Sequence, residues 1–175
     1  MPPSPNINSW TAALVYPGMC LLEGTNLSEG RGTTTPFMVF GAPYIDDPVR
    51  LASSLDNLRL DGVAFLPTWF VPDSDKWAKK RCGGVRLVIT DRQSFKPLLA
   101  GISVLSVCSS GFPDGFRFRK KAYEFVSDRL AIDLLLGDDS VRRSIVSGED
   151  PRSIYSAMEP ETRQFMKERE AFLLY

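Results

Sequence analysis

Val85–Leu105, VRLVITDRQSFKPLLAGISVL, changes its hydrophobic period partway along. Val85, Leu87 and Ile89 alternate with Arg86, Val88 and Thr90, the two-residue period of a strand with one covered face. Phe95, Leu98, Leu99, Ile102 and Leu105 then recur at helical spacing, and Pro97 is tolerated because it falls in the first turn. A strand followed by an apolar helix implies a helix packed on a sheet.

Upstream, Val63–Val71 reads as a second strand, which Pro67 restricts to a sheet edge or breaks in two. Pro36–Phe40 offers a shorter strand. Between them Asp46-Asp47-Pro48 supplies an acidic cap followed by a first-turn proline, and Leu51, Ala52, Leu55 and Leu58 give the resulting helix one buried stripe before Gly62. Thr11–Leu22 is apolar and partly helical, with Pro17-Gly18 expected to interrupt it. Downstream come a strand carrying Phe116 and Phe118, then helices at Ala131–Leu136 and Ser140–Val146, stopped by Gly137 and Gly148. Pro160 opens a last helix, with Phe165 and Phe172 seven residues apart on one face. The order strand, helix, strand, strand, helix favours an α/β or α+β fold, a small mixed sheet packed with helices. Residues 1–10, rich in proline, read as an extended linker, and residues 11–175 as one domain.

The chain's 175 residues suffice for a hydrophobic core without disulfides or a structural metal. Basic and acidic residues balance at 21 each, so no global field concentrates nucleic acid or anionic lipid. The densest basic run, Arg117, Arg119, Lys120 and Lys121, is interleaved with Phe116 and Phe118 like a single-strand stacking platform. Its two-residue period instead favours a strand with the rings inward and the charges outward. Histidine is absent, which removes the usual general base and the commonest metal ligand and leaves carboxylates, Lys, Tyr or Cys for any chemistry. Cys20, Cys82 and Cys108 form no C-x-x-C, so no zinc site is expected; at most one bridge can form, and Cys108 reads as a buried, inert thiol. Only Asp46 with Asp47, or Asp73 with Asp75, offers ligands for calcium, and these pairs read better as helix and turn caps, so neither metal nor cofactor is expected. No run approaches ~20 apolar residues, so no membrane span is expected, and the start has no signal-peptide character.

The chemistry is concentrated in Glu23–Thr33, EGTNLSEGRGT, which places two carboxylates, a guanidinium, an amide and several hydroxyls in one glycine-punctuated loop. Such groups suit a carbohydrate, held through paired hydrogen bonds with aromatic rings beneath its apolar face, and glycosidic cleavage commonly uses two carboxyl groups. The glycines let the loop bring Glu23 and Glu29 to one concave surface. A capping box, Asn26-x-x-Glu29, is the structural alternative, opposed by Gly30 and Gly32. Beyond the loop, Tyr44, Trp69, Phe70 and Trp77 are candidates for stacking and Lys76 and Lys79 for anion contacts. The area such rings bury favours core positions, except for Trp77, whose flanking charges suggest an exposed loop.

Leu14–Thr33, LVYPGMCLLEGTNLSEGRGT, resembles the signature of the bacterial exo-β-N-acetylmuramidase family, long catalogued as a domain of unknown function. The likeness continues through Pro3–Asn6, Gly41–Ile45, Cys82–Val85 and Phe172–Tyr175. The resemblance implies the C-terminal domain of a two-domain protein that releases terminal non-reducing N-acetylmuramic acid from peptidoglycan fragments. Its active site would lie in the interdomain cleft, and its Rossmann-like first domain would precede this chain. It implies Glu23 or Glu29 as a catalytic or sugar-binding carboxylate, Asn26 at the acetamido group and Arg31 at the lactyl carboxylate, with Thr25, Ser28, Tyr16 and Asn6 as further substrate contacts. Arg31 has an equal alternative, that of neutralising Glu23 or Glu29 and holding the loop. A non-catalytic module that binds muropeptides or another partner is the second reading. The family context places the parent in the periplasm, outside the cell or in the cytoplasm, and nothing in this chain chooses among them.

Overall fold

The computed structural model describes residues 4–174; Met1, Pro2 and Pro3 of the expected linker, and Tyr175 of the C-terminal signature, lie outside the described residues. Among the described residues, seven helices pack around a three-stranded sheet. In chain order these are α1 (Trp10–Met19), β1 (Val39–Ala42), α2 (Pro48–Asp56), β2 (Val63–Phe70), β3 (Cys82–Ile89), α3 (Pro97–Gly111), α4 (Ala131–Leu136), α5 (Ser140–Ser147), α6 (Pro151–Ala157) and α7 (Glu159–Arg169). The sheet has the order β1-β3-β2 and is antiparallel throughout, which makes the fold α+β.

β3 is central, bonded to β1 on one side and β2 on the other, and its Val85 and Leu87 are buried; the short β1 is buried along its whole length as well. Pro67 lies within an unbroken β2, at the edge of the sheet, where a strand can spare a donor. Asp47 caps α2 by accepting from the N–H of Arg50 at 2.9 Å, with Pro48 in the first turn; Leu51, Ala52 and Leu55 face the core. α3 is the spine of the helical layer, with Ile102, Val104, Leu105 and Cys108 completely buried. α4 and α5 end at Gly137 and Gly148 as expected.

Four expectations are corrected. Pro17 does not interrupt α1; the helix runs to Met19 and tightens into a 3-10 turn over Cys20–Gly24. External packing holds it, because Gly18 and Gly101 bring α1 and α3 into backbone contact, and a β-carbon on either would overlap a carbonyl oxygen of the other helix. The chain at Pro36–Met38 turns, so β1 begins only at Val39. Phe116 and Phe118 point inward as a T-shaped pair 5.2 Å apart, but their segment is no strand: one bridge, Thr25 to Phe118, is its whole pairing. The N-terminal segment closes a turn from Ser4 to Ile7 instead of extending, with Ser4 Oγ accepting from the Asn6 N–H at 3.2 Å.

α6 is a helix the periodicity did not reveal, though Asp150-Pro151 repeats the cap-and-proline device of α2 and Asp150 accepts from Ser153 N–H at 3.2 Å. α7 buries no residue, and Phe165 and Phe172 both stand in solvent. Spacing gives a helix a face but does not supply a cover for it.

The α1–α3 contact sets a stability expectation. Gly101→Ala should destabilise the fold by about 1–3 kcal/mol, the cost of overpacking an interface closed on backbone. Gly111→Ala, in open space at the end of the same helix, should be neutral or slightly stabilising. Urea denaturation midpoints of the two variants check the contrast.

Candidate functional site

The Glu23–Thr33 segment leaves the 3-10 turn and is stitched to the domain on both sides. On one side Asn26 N–H donates to Arg117 O (3.0 Å) and Arg119 N–H to Gly24 O (2.8 Å). On the other, Ser28 and Gly41 of β1 exchange bonds of 2.8 and 3.0 Å. The chain then turns at Gly30–Thr33 with Arg31 at the corner. Gly30 and Gly32 have φ of 78° and 73°, a conformation in which a β-carbon is strained, and that β-carbon would lie 2.5 Å from Val39 O or from Ser74 N. Protein fills the space beside both glycines, so the corner is shaped for Val39 and Ser74 to approach.

Arg31 collects the acidic groups. Its Nη2 lies 2.7 Å from Glu23 Oε1, its Nε 3.1 Å from Glu29 Oε1 and 3.9 Å from Asp75 Oδ2. Burial works against its charge, but the hydrogen bond to Glu23 and the charges of Glu23, Glu29 and Asp75 outweigh it and leave the pKa raised. Glu29, with a side chain only 3 % exposed, passes its other oxygen to Lys76 Nζ at 2.9 Å. The Lys76 ammonium is completed by Leu22 O (2.8 Å) and Leu27 O (3.0 Å), so all three of its donors are committed within the protein and the anion contact expected of Lys76 is corrected.

Lys76 and Trp77 lie in a strained loop. Asp75, Trp77 and Lys79 alternate in the left-handed region at φ of 67°, 59° and 63°, each costing on the order of 1–2 kcal/mol for a residue with a β-carbon. The strain is held by the Lys76 bonds and by Trp77 Nε1–H, which donates to Asn26 O at 2.6 Å. Trp77 is therefore half-buried, edge-on to Tyr44, although the loop that carries it is exposed on both sides, as expected. Lys79 pairs with Asp73 in full exposure. Trp69 stands partly exposed under the Arg81 guanidinium at 4.1 Å, and Phe70 is half-buried on the edge strand.

Three of the remaining candidates are bound up in the scaffold. The Asn26 amide donates to Gly115 O (2.8 Å) and accepts from Tyr44 OH (3.0 Å) and Arg117 N–H (2.9 Å). Thr25 Oγ1 donates to Leu22 O and accepts from Leu27 N–H, and Ser28 Oγ accepts from Gly30 N–H; both residues are buried. Asn6 is half-buried in the N-terminal turn, and its neighbour Asn8 donates to Thr34 O at 3.3 Å.

Glu23 differs, because its side chain keeps 15 % exposure. One oxygen is held by Arg31 and the other accepts from Tyr123 OH at 3.0 Å. Tyr16, stacked edge-on to Phe37 at 4.8 Å, is a further neighbour. Burial and the Glu23 charge push Tyr16 up, Tyr123 up to about 12 and Cys20 up to about 11, so the carboxylate is ringed by groups that stay protonated at neutral pH. Tyr123 is the member of this cluster that sequence reasoning missed; no local pattern marks it, since its partner lies 100 positions away. Beside this cluster Trp77, Arg119, Lys120 and Lys121 line a groove of about 650 Å³ that also reaches Thr25, Asn26 and Asp75. All three cysteines are free. No three His, Cys, Asp or Glu converge as metal ligands among the described residues, and no described helix is long and apolar enough to cross a membrane.

Residues 14–175 match the family described as exo-beta-N-acetylmuramidase NamZ, C-terminal. Over 173 residues, 99 % of its length, the chain is 36 % identical to the peptidoglycan beta-N-acetylmuramidase NamZ of Bacillus subtilis (strain 168). Two crystal structures of DUF1343 family proteins from Bacteroides fragilis superpose with TM-scores of 0.81 and 0.70 at 23 % and 29 % identity, covering 100 % and 99 % of the chain. The chain spans 40 % of the Bacillus protein and 45 % and 43 % of the two Bacteroides chains.

The ion pairs divide by burial. Arg31→Ala leaves Glu29 facing Lys76 alone and should cost about 1.5–3 kcal/mol in urea denaturation, the loss of a charged hydrogen bond from a half-buried group. Lys79→Ala should cost well under about 1 kcal/mol, since its pair with Asp73 is exposed. Alkali should separate the tyrosines. Because the folded value of Tyr123 is raised, its contribution to stability is complete below the unfolded value near ~10 and lost as pH rises through about 12. Phenolate absorbance of the parent and of Tyr123→Phe should differ by a transition in that window.

Proposed function

The chain belongs to the exo-beta-N-acetylmuramidase NamZ C-terminal family, and we propose that it forms one wall of a sugar cleft in a peptidoglycan glycosidase. The bond attacked is the one that joins a terminal, non-reducing β-N-acetylmuramic acid to the rest of a cell-wall fragment. The Bacillus relative, a peptidoglycan beta-N-acetylmuramidase by name, supports the substrate class. The rest of the site would come from a region like the part of that relative outside the match.

The observation that carries the reading is Glu23. It is a carboxylate with solvent access, fixed at one oxygen by a guanidinium and at the other by a phenol, as a group acting on a bound sugar must be fixed. Glu29, Asn26, Thr25 and Ser28 shape the loop that presents it. Arg31 fits the neutralising role better than the lactyl one. With Lys76 it brings two positive charges against the three of Glu23, Glu29 and Asp75, and the one negative charge in excess repels a further carboxylate. The same internal pairing of Glu23 supports a second reading, a module that binds muropeptides without cleaving them.

A chromogenic muramoside, mixed with the chain alone and then with the chain joined to the upstream part of the Bacillus relative, separates the two. Release by the joined protein is expected, with Glu23→Gln lowering kcat at least ~100-fold while the fold persists. Unchanged kcat in that variant overturns the role of Glu23, and saccharide binding without any release favours the binding module.

A further inference from the structure

Tyr123 and Val126 exchange backbone hydrogen bonds of 3.0 and 2.9 Å across a two-residue turn whose central residues, Glu124 and Phe125, have φ of 48° and 68°. Both lie in the left-handed region that such turns ordinarily fill with Asn-Gly. The Phe125 ring at the tip is fully exposed and touches none of the core. A β-carbon in strained backbone and a bare aromatic ring are two separate costs at one site, and neither serves the fold. The turn is nevertheless fixed to the candidate site through Tyr123 OH on Glu23.

Three cations, Arg119, Lys120 and Lys121, precede Ala122 and the turn, against the single carboxylate of Glu124 within it. Arg119 is held over the Tyr123 ring at 5.6 Å, and Arg119, Lys120 and Lys121 line the groove beside Trp77. None of the three forms an ion pair among the described residues. Their three positive charges adjoin a cluster around Arg31 that carries one negative charge in excess.

We infer that the Arg119–Val126 segment is a binding element for an acidic pyranoside. Phe125 stacks on the apolar face of the ring, and Arg119, Lys120 and Lys121 receive the carboxylate. An exposed ring on a short, anchored turn is a stacking surface with little entropy to lose, and a guanidinium flanked by two ammonium groups supplies charge where the Arg31 cluster refuses it. The inference rests on the proposed function for the identity of the sugar, not for its acidity.

Binding of three methyl glycosides to the chain, those of N-acetylmuramic acid, glucuronic acid and N-acetylglucosamine, tests it by calorimetry or NMR titration. The acidic sugars should bind more tightly than the neutral one, and Phe125→Ala should weaken all three about tenfold without moving the thermal midpoint. Arg119→Ala combined with Lys121→Ala should weaken the acidic sugars alone. Glu124→Asn with Phe125→Gly gives the turn its favoured residues, and should raise the thermal midpoint while losing affinity, a combination that a merely structural turn would not produce. If the glucuronide binds as well as the muramide and both need Phe125, the element stands and muramic acid as the substrate falls. If the muramide binds and the Phe125 variants match the parent, the element falls and the substrate reading stands. Failure of every saccharide to bind overturns the inference. So does a Phe125→Ala variant that keeps its sugar affinity but no longer associates with the upstream part of the Bacillus relative, which would make the tip a docking contact.

Discussion

Glu29 is a carboxylate taken almost entirely out of water, and a charge so placed needs opposite charge on each of its oxygens. Arg31 answers one and Lys76 the other. Because Arg31 also holds Glu23, and Lys76 also closes on the carbonyls of Leu22 and Leu27, this single desolvated group ties together the corner of the Glu23–Thr33 loop, the end of the 3-10 turn and the loop before β3. Asn26 does the same by neutral hydrogen bonds, joining Tyr44, Trp77, Gly115 and Arg117. The loop thus behaves as a fixed part of the domain, and Glu23 inherits its position from the neighbours' mutual constraint.

Most of the backbone strain follows the same map; Arg59, exposed after α2 at φ of 50°, stands apart from it. Phe37, Asp75, Trp77 and Lys79, all non-glycine residues in the left-handed region, lie in or against this cluster, and Arg31 covers the Phe37 ring at 5.2 Å. The Trp77 conformation persists because its indole N–H is bonded to Asn26 O and its neighbour Lys76 is bonded on all three donors, and the Phe37 ring is packed under Arg31 and against Tyr16. Glu124 and Phe125 are different in kind: their turn is held by the two cross-turn bonds, by the Tyr123 hydroxyl on Glu23 and by Arg119 over the Tyr123 ring, while the Phe125 ring stands in solvent.

What could be read in the sequence was what physics writes locally. Asp47-Pro48 announces a helix start wherever it occurs, and Val85, Leu87 and Ile89 announce a covered strand face. The density of polar groups in Glu23–Thr33 marked a segment that the fold draws into one hydrogen-bonded and ion-paired cluster. It could not assign the division of labour inside it, because whether Asn26 or Lys76 faces a ligand depends on Gly115, Leu22 and Leu27, residues brought near only by the fold. The period-2 pattern at Phe116 and Phe118 reported inward rings truthfully but not the absence of a partner strand. Tyr123 carried no mark at all.

The bonds that build the site span long stretches of chain: Lys76 to Leu22 across 54 positions, Asn26 to Gly115 across 89, Tyr123 to Glu23 across 100. Each closes a large loop whose entropy must be surrendered before the bond returns anything, while the pairing of β2 with β3 and the first turns of α3 need only near neighbours. The order of assembly is thereby constrained. The β2–β3 pair and α3 can form across the shorter loops, β1 must come in from farther along the chain, and the Glu23 environment is complete only when Tyr123 has arrived.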